Sequence, residues 1–301
     1  MPSIAARLTN FALPLLGIKR FFAQPGKIDG RIAQLRQRKP ARPGGGMRAR
    51  FDIVEDDSRG FPVFTLTPKG GVTPGSRHLL YFHGGGYVMP IAPQHWTLVG
   101  DLCERLGASA TIPLYPLAPE HKAAKTLPAM RALYGELTLK YGAECITILG
   151  DSAGGGMALA VAQSALADGG ALPDSLVLYS PWLDATARAE GQRAIEPRDR
   201  MLAVSGLEAC GERYRGELAL DDPRVSPLFG ELKGLPRMAI FAGSSDILVV
   251  DARRLAARLA EAGMPEHVYH EYEDLFHVWM LLASPEGRRA REQTVRFIVG
   301  E

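Results

Sequence analysis

The chain has 301 residues, 46% of them apolar and 23% charged, with a formal net charge of +2. That length can bury one large core, and the composition excludes a disordered or collagen-like chain. The near balance of charge argues against a nucleic-acid surface or a polyanionic partner, and Cys103, Cys145 and Cys210, with no Cys-x-x-Cys pair among them, fit a reducing cytoplasm.

From the start of the chain, Phe11 to Phe22 is apolar but broken by Pro14, Gly17 and Lys19-Arg20. It is too short to span a bilayer and lacks the order of a signal peptide, so a covering helix is expected and stable membrane insertion is not. Surface association with a membrane is the lesser alternative. A basic helical segment follows, then a breaker-rich linker from Lys39 to Gly46. Beyond it, short apolar runs alternate with segments of helical period. Strands are expected at Arg50 to Val54, Val63 to Leu66, His78 to Phe82, Ala110 to Leu114, Ile146 to Leu149, Leu176 to Tyr179, Met238 to Ala242 and His267 to Tyr272. Helices are expected at Trp96 to Leu106, Ala129 to Tyr141, Ser152 to Ala167 and Ala252 to Ala262, with a last one from near Pro285 to Val299. This predicts an α/β fold, a mostly parallel eight-stranded sheet flanked by helices, in a single domain over 1–301. The core is expected over 47–182 and 236–301. Residues 1–46 and 183–235 fall outside the alternation and read as lid material.

Gly150-Asp151-Ser152-Ala153-Gly154-Gly155 follows an expected strand directly and opens an expected helix. That is the setting of a Gly-x-Ser-x-Gly elbow, in which two glycines let strand and helix approach and leave the serine at the sheet's carboxyl edge. The alternative is a Gly-rich phosphate turn or an N-cap. His83-Gly84-Gly85-Gly86 follows an earlier strand, and its backbone N–H groups at Gly84 and Gly85 are expected to join that of Ala153 in an oxyanion hole. His83 is expected to fix this loop. Of the seven histidines, His277 alone lies in a loop just after the last expected strand, where the chain order Ser, acid, His of such folds puts the base. Asp246, in a loop a few residues past a strand, is the expected acid. Asp251 reads as a helix N-cap and Asp184 as a further candidate.

At these motifs the sequence resembles the hormone-sensitive lipase family, in its Gly-Asp-Ser-Ala-Gly bacterial branch. The likeness runs from about His78 to Trp279 and includes Tyr115 to His121, Ser180 to Asp184, Asp222-Pro223 and Ser226 to Leu228. It departs at Pro116, where an arginine is more usual, at Ile247-Leu248, and at Val278, where glycine often follows the histidine. The resemblance implies an α/β-hydrolase fold, a cap built from the two leftover segments, and hydrolysis of small carboxylic esters without cofactor or metal. A lactone or amide substrate, a non-catalytic receptor of the same fold, and a homodimer are left open. Trp182, Trp279 and Tyr87 are expected to crowd the site and limit it to short or medium acyl chains.

Overall fold

The structure, a computed structural model, describes residues 2–264 and 266–301. Its strands are β1 (Phe51–Asp56), β2 (Val63–Pro68), β3 (His78–Phe82), β4 (Ser109–Pro113), β5 (Ile146–Asp151), β6 (Ser175–Tyr179), β7 (Arg237–Gly243) and β8 (Val268–Tyr272). They form one sheet in the order β1-β2-β4-β3-β5-β6-β7-β8. β1 with β2 and β2 with β4 are antiparallel, and every later pairing is parallel. The parallel strands β3, β5 and β6 are buried at every residue, which is why they read as unbroken apolar runs.

Helices α1 (Ile4–Ala12), α2 (Ile18–Phe22), α3 (Ile28–Arg36) and α4 (Gly45–Arg50) precede the sheet. Connecting helices are α5 (Pro93–Leu106), α6 (Ala123–Tyr141) and α7 (Ala153–Ala167). Helices α8 (Gln192–Ile195) and α9 (Val204–Arg215) lie in the long segment between β6 and β7, and α10 (Val249–Glu261) and α11 (Pro285–Val299) complete the fold. Alternate strand side chains go to opposite faces. Leu80, Phe82, Ile148 and Leu178 pack with α6, α7 and α10, while Leu79, Tyr81, Leu149 and Val177 pack with α5 and α11. Helix α7 is buried nearly all round, and its run of Gly and Ala lets it lie close over β5, β6 and β3. The two segments outside the alternation meet: α2 packs on α9 so closely that a Cβ on Gly206 would stand 2.3 Å from the Phe22 carbonyl oxygen.

Two local expectations differ from the structure. Helix α6 begins at Ala123, six residues before the expected start, and runs through Pro128. Pro128 is the sixth residue of the helix, past the first turn, so its missing N–H forfeits one intrahelical bond. Asp251 does not cap α10. The N-cap is Leu248, and Asp251 sits inside the first turn, fully buried. Its Oδ2 accepts from the N–H groups of Leu183 and Asp184, each at 3.0 Å, and its Oδ1 from Gln192 Nε2 at 3.2 Å. It therefore pins α10 to the chain that leaves β6. Burial, and then the neighbouring Asp184, push this carboxyl up to about 7 against the pull of its backbone donors.

A carboxyl whose folded pKa is raised binds its proton more tightly when folded, so its contribution to stability is present at low pH and is lost as pH rises through the folded value. Asp251→Asn removes this term. Its thermal midpoint relative to wild type is expected to improve steadily between about pH 4 and 7, read by unfolding scans at several pH values. A difference independent of pH would refute the assignment.

Candidate active site

Ser152 follows β5 directly and caps α7, with φ 53° and ψ −121°, a left-handed conformation costly for any residue with a side chain. The turn holds because its neighbours are glycines. A Cβ on Gly150 would stand 2.2 Å from the Gly154 carbonyl oxygen, and one on Gly154 would stand 2.0 Å from that of Phe82. The Ser152 N–H donates to the Tyr179 carbonyl at 2.8 Å, and its own carbonyl accepts from Gly155, Gly156 and Trp182. The hydroxyl is left on a cavity wall at the carboxyl ends of the strands.

Asp246 lies just past β7 and His277 between β8 and α11. Both are buried, and His277 Nδ1 is 2.8 Å from Asp246 Oδ2. The other carboxylate oxygen accepts from the Leu248 N–H at 2.9 Å. A nitrogen facing a carboxylate carries the proton, so Nε2 presents its lone pair. Burial pulls the His277 pKa down, but Asp246 beside it more than offsets this, with Asp199 and Asp151 adding to the effect, and the imidazole is held above its ordinary value. Ser152 and His277 line the same cavity, although no hydrogen bond joins them. Such contacts are often long before substrate enters. Val278, where glycine is more usual, has φ 51° and ψ 38°, so a β-branched residue occupies a glycine-like conformation. Its N–H donates to Ser180 Oγ at 3.2 Å. Asp184, the further candidate for the acid, is instead paired with Arg254 at 2.6 Å.

The glycine loop differs from expectation by one residue. The Gly84 N–H, expected in the oxyanion hole, donates to Asp151 Oδ1 at 2.9 Å and is already engaged. Asp151 is buried at the end of β5 and needs donors, which it finds in Gly84, the Tyr81 hydroxyl and His95, whose Nε2 lies 3.4 Å from Oδ2. His95 Nδ1 accepts from the Ala92 N–H, which leaves Nε2 as the donor. Among the described residues, the N–H groups of Gly85, Gly86 and Ala153 have no acceptor. Gly85 and Gly86 have φ of 123° and 60°. His83 fixes the loop as expected, stacking on Tyr115 and donating from Nδ1 to the Gly84 carbonyl at 2.6 Å. Burial, and then His95, push its pKa down to about 4, which keeps it neutral.

Sequence reasoning missed Asp199. From the segment between β6 and β7 it accepts from the N–H groups of Met201 and Leu202 on one oxygen and from that of Ile247, next to Asp246, on the other. Burial, and then the proximity of Asp246, raise its pKa to about 6. Between Arg198 and Arg200 it reads as a solvated charge, and no local signal distinguishes it.

The cavity holds ≈ 220 Å³ and is mostly apolar, with Gln94 as a further polar lining residue and walls from Leu13, Leu16, Ile18, Phe22, Met89, Met201 and Leu281. Trp182, Trp279 and Tyr87 do not line it, contrary to expectation. Tyr87 stacks on Tyr214 with ring centroids 3.7 Å apart, Trp182 Nε1 is turned back to the Asp184 carbonyl, and Trp279 is buried against Tyr272. The N-terminal segment narrows the site instead.

Known proteins share this fold. Residues 79–281 match a family model described as alpha/beta hydrolase fold. A triacylglycerol lipase of Mycobacterium tuberculosis is 33% identical over 230 residues, 76% of this chain and 47% of that protein, so the chain spans about half of that relative. An acetyl-hydrolase of Streptomyces hygroscopicus is 35% identical over 229 residues, 74% of this chain and 75% of that protein. The crystal structure of a hormone-sensitive lipase from a metagenome library superposes with a TM-score of 0.82 at 27% identity, covering 98% of both chains. With its elbow, its sheet order and these relatives, the chain belongs to the α/β-hydrolase family, among the esterases and lipases related to hormone-sensitive lipase.

Proposed function

We propose that the chain hydrolyses small carboxylic esters, with Ser152 as nucleophile, His277 as general base and Asp246 as the acid behind it. The observation that carries this reading is the buried Asp246–His277 hydrogen bond, which turns Nε2 towards the cavity that holds the strained serine. His277 Nε2 takes the Ser152 proton as Oγ attacks the ester carbonyl, giving a tetrahedral oxyanion and an imidazolium stabilised by Asp246. Collapse expels the alcohol, which leaves with the proton from Nε2, and Ser152 is acylated. Water then gives its proton to Nε2, attacks the acyl carbon and releases the acid, and the proton returns to Ser152. The N–H groups of Gly85, Gly86 and Ala153 are available to hold the oxyanion, since Gly84 is committed to Asp151. Residues 2–46 and 183–235 act as the cap over this site. The acyl group is short to medium, because the cavity is below the roughly 300–1,000 Å³ of sites for drug-sized ligands.

Ser152→Ala is expected to fold normally while losing p-nitrophenyl butyrate turnover and fluorophosphonate labelling together. Turnover retained by a pure variant would remove the serine from its role. For the base, activity requires neutral His277, so kcat/KM is expected to rise with pH through an apparent pKa above the ordinary 6.5 of imidazole. Asp246→Asn is expected to lower turnover by ~10⁴, as the same change does in serine proteases. It should also bring the rising limb of that profile down, and a pH–rate series on wild type and variant measures both. Across acyl lengths, soluble butyrate and hexanoate esters are expected to be better substrates than long-chain emulsified triacylglycerols. The reverse order would show that the cap opens far wider than described.

A further inference from the structure

One surface of the protein takes no part in the proposed reaction. Ile4, Leu8, Phe11, Leu15 and Leu16 are between 65% and 87% exposed and recur at spacings of four, three, four and one. They form an outward apolar strip along α1 and the turn after it, while Ala6 and Leu13 face the protein. Among the described residues, the other large exposed apolar side chains are scattered singly along the chain. Isolated exposures need no explanation, but a continuous strip does.

We propose that this strip docks the protein on an anionic phospholipid surface, with the mouth of the catalytic cavity against the lipid. The first support is charge. Of the 35 Lys and Arg residues eleven lie within residues 1–50, against one of the 33 acidic residues, Asp29, so this segment carries +10 and the remainder −8. Arg7, Arg20, Lys27, Arg38 and Lys39 are exposed and enter no ion pair among the described residues. The second is continuity with the cavity. Leu16, Ile18 and Met89 line it and also line an adjoining depression bordered by Arg20, Arg31 and Arg38. Apolar side chains at the rim with guanidinium groups beside them suit acyl chains and phosphate headgroups together.

Competing occupants fit less well. A two-fold dimer through this face would set the exposed cations Arg7, Arg20, Lys27, Arg38 and Lys39 against a second copy of themselves, since such an interface pairs the same patch on both copies. A nucleic acid would satisfy the arginines and leave the apolar strip in water. No described helix is long and apolar enough to cross a membrane, so the strip would lie in the plane of the interface.

The test is co-sedimentation of the intact protein with large unilamellar vesicles, either equimolar phosphatidylglycerol and phosphatidylcholine or phosphatidylcholine alone. Binding is expected to be at least about tenfold stronger to the anionic vesicles and to weaken with salt. Leu8→Ser/Phe11→Ser/Leu15→Ser is expected to lose it about tenfold or more, with thermal midpoint and p-nitrophenyl butyrate turnover unchanged. Arg20→Glu/Arg38→Glu should weaken binding to anionic vesicles only. The sedimentation readout is independent of the esterase assignment, so either can fail without the other. Equal binding by the triple variant, or no binding by wild type, would overturn the proposal. So would a wild-type dimer in light scattering that the triple variant converts to monomer.

Discussion

No atom larger than hydrogen fits between α7 and the carboxyl ends of β3 and β5. The Cβ that Gly154 lacks would lie 2.0 Å from the Phe82 carbonyl oxygen, and the one that Gly150 lacks would strike Gly154. Because strand, helix and neighbouring strand touch there, the chain leaving β3 passes directly beside the serine. A Cβ on Gly84 would in turn lie 2.3 Å from Asp151 Oδ2, so the glycine loop seats on the residue preceding the serine. The backbone of Ser152 is forced into a costly conformation by the same crowding, and the surrounding contacts over-determine it.

Buried carboxylates hold the loops around this point. Asp151 gathers the glycine loop, Asp246 the imidazole, Asp199 the turn carrying Asp246, and Asp251 the chain leaving β6. Each accepts backbone or side-chain donors that would otherwise be stranded away from water, which makes removing the carboxylate costlier than the bonds alone suggest. Their charges act on one another too. Asp199 raises the His277 pKa from a distance, and Asp246 raises that of Asp199.

The central strands β3, β5 and β6 were legible as short unbroken apolar runs between breakers, as strands of a covered parallel sheet are, whereas the half-exposed edge strands β1 and β8 were legible from β-branched and aromatic residues between turn signals. The elbow was legible because two glycines at fixed spacing follow such a run. Three things were not. Which glycine N–H groups remain free depends on how Asp151 finds its donors, a matter of one residue in phase that no motif records. Tyr87, Trp182 and Trp279 are near the site along the chain, but stacking and hydrogen bonding turn them away from the cavity. Asp199 and Asp251 look like a surface charge and a helix cap until distant chain folds over them and supplies their donors.

The Ile247 N–H, adjacent to Asp246, is held by a side chain from the segment between β6 and β7. Seen only as a cover, that segment could be exchanged freely to alter selectivity. Its Asp199 also holds the turn that carries Asp246. A chimaera that replaced it without supplying an acceptor at the Asp199 position would strand a buried amide beside Asp246. Any change in selectivity would then be confounded with a displaced Asp246–His277 pair. Grafts at this site have to be cut so that the Asp199 turn stays with the core.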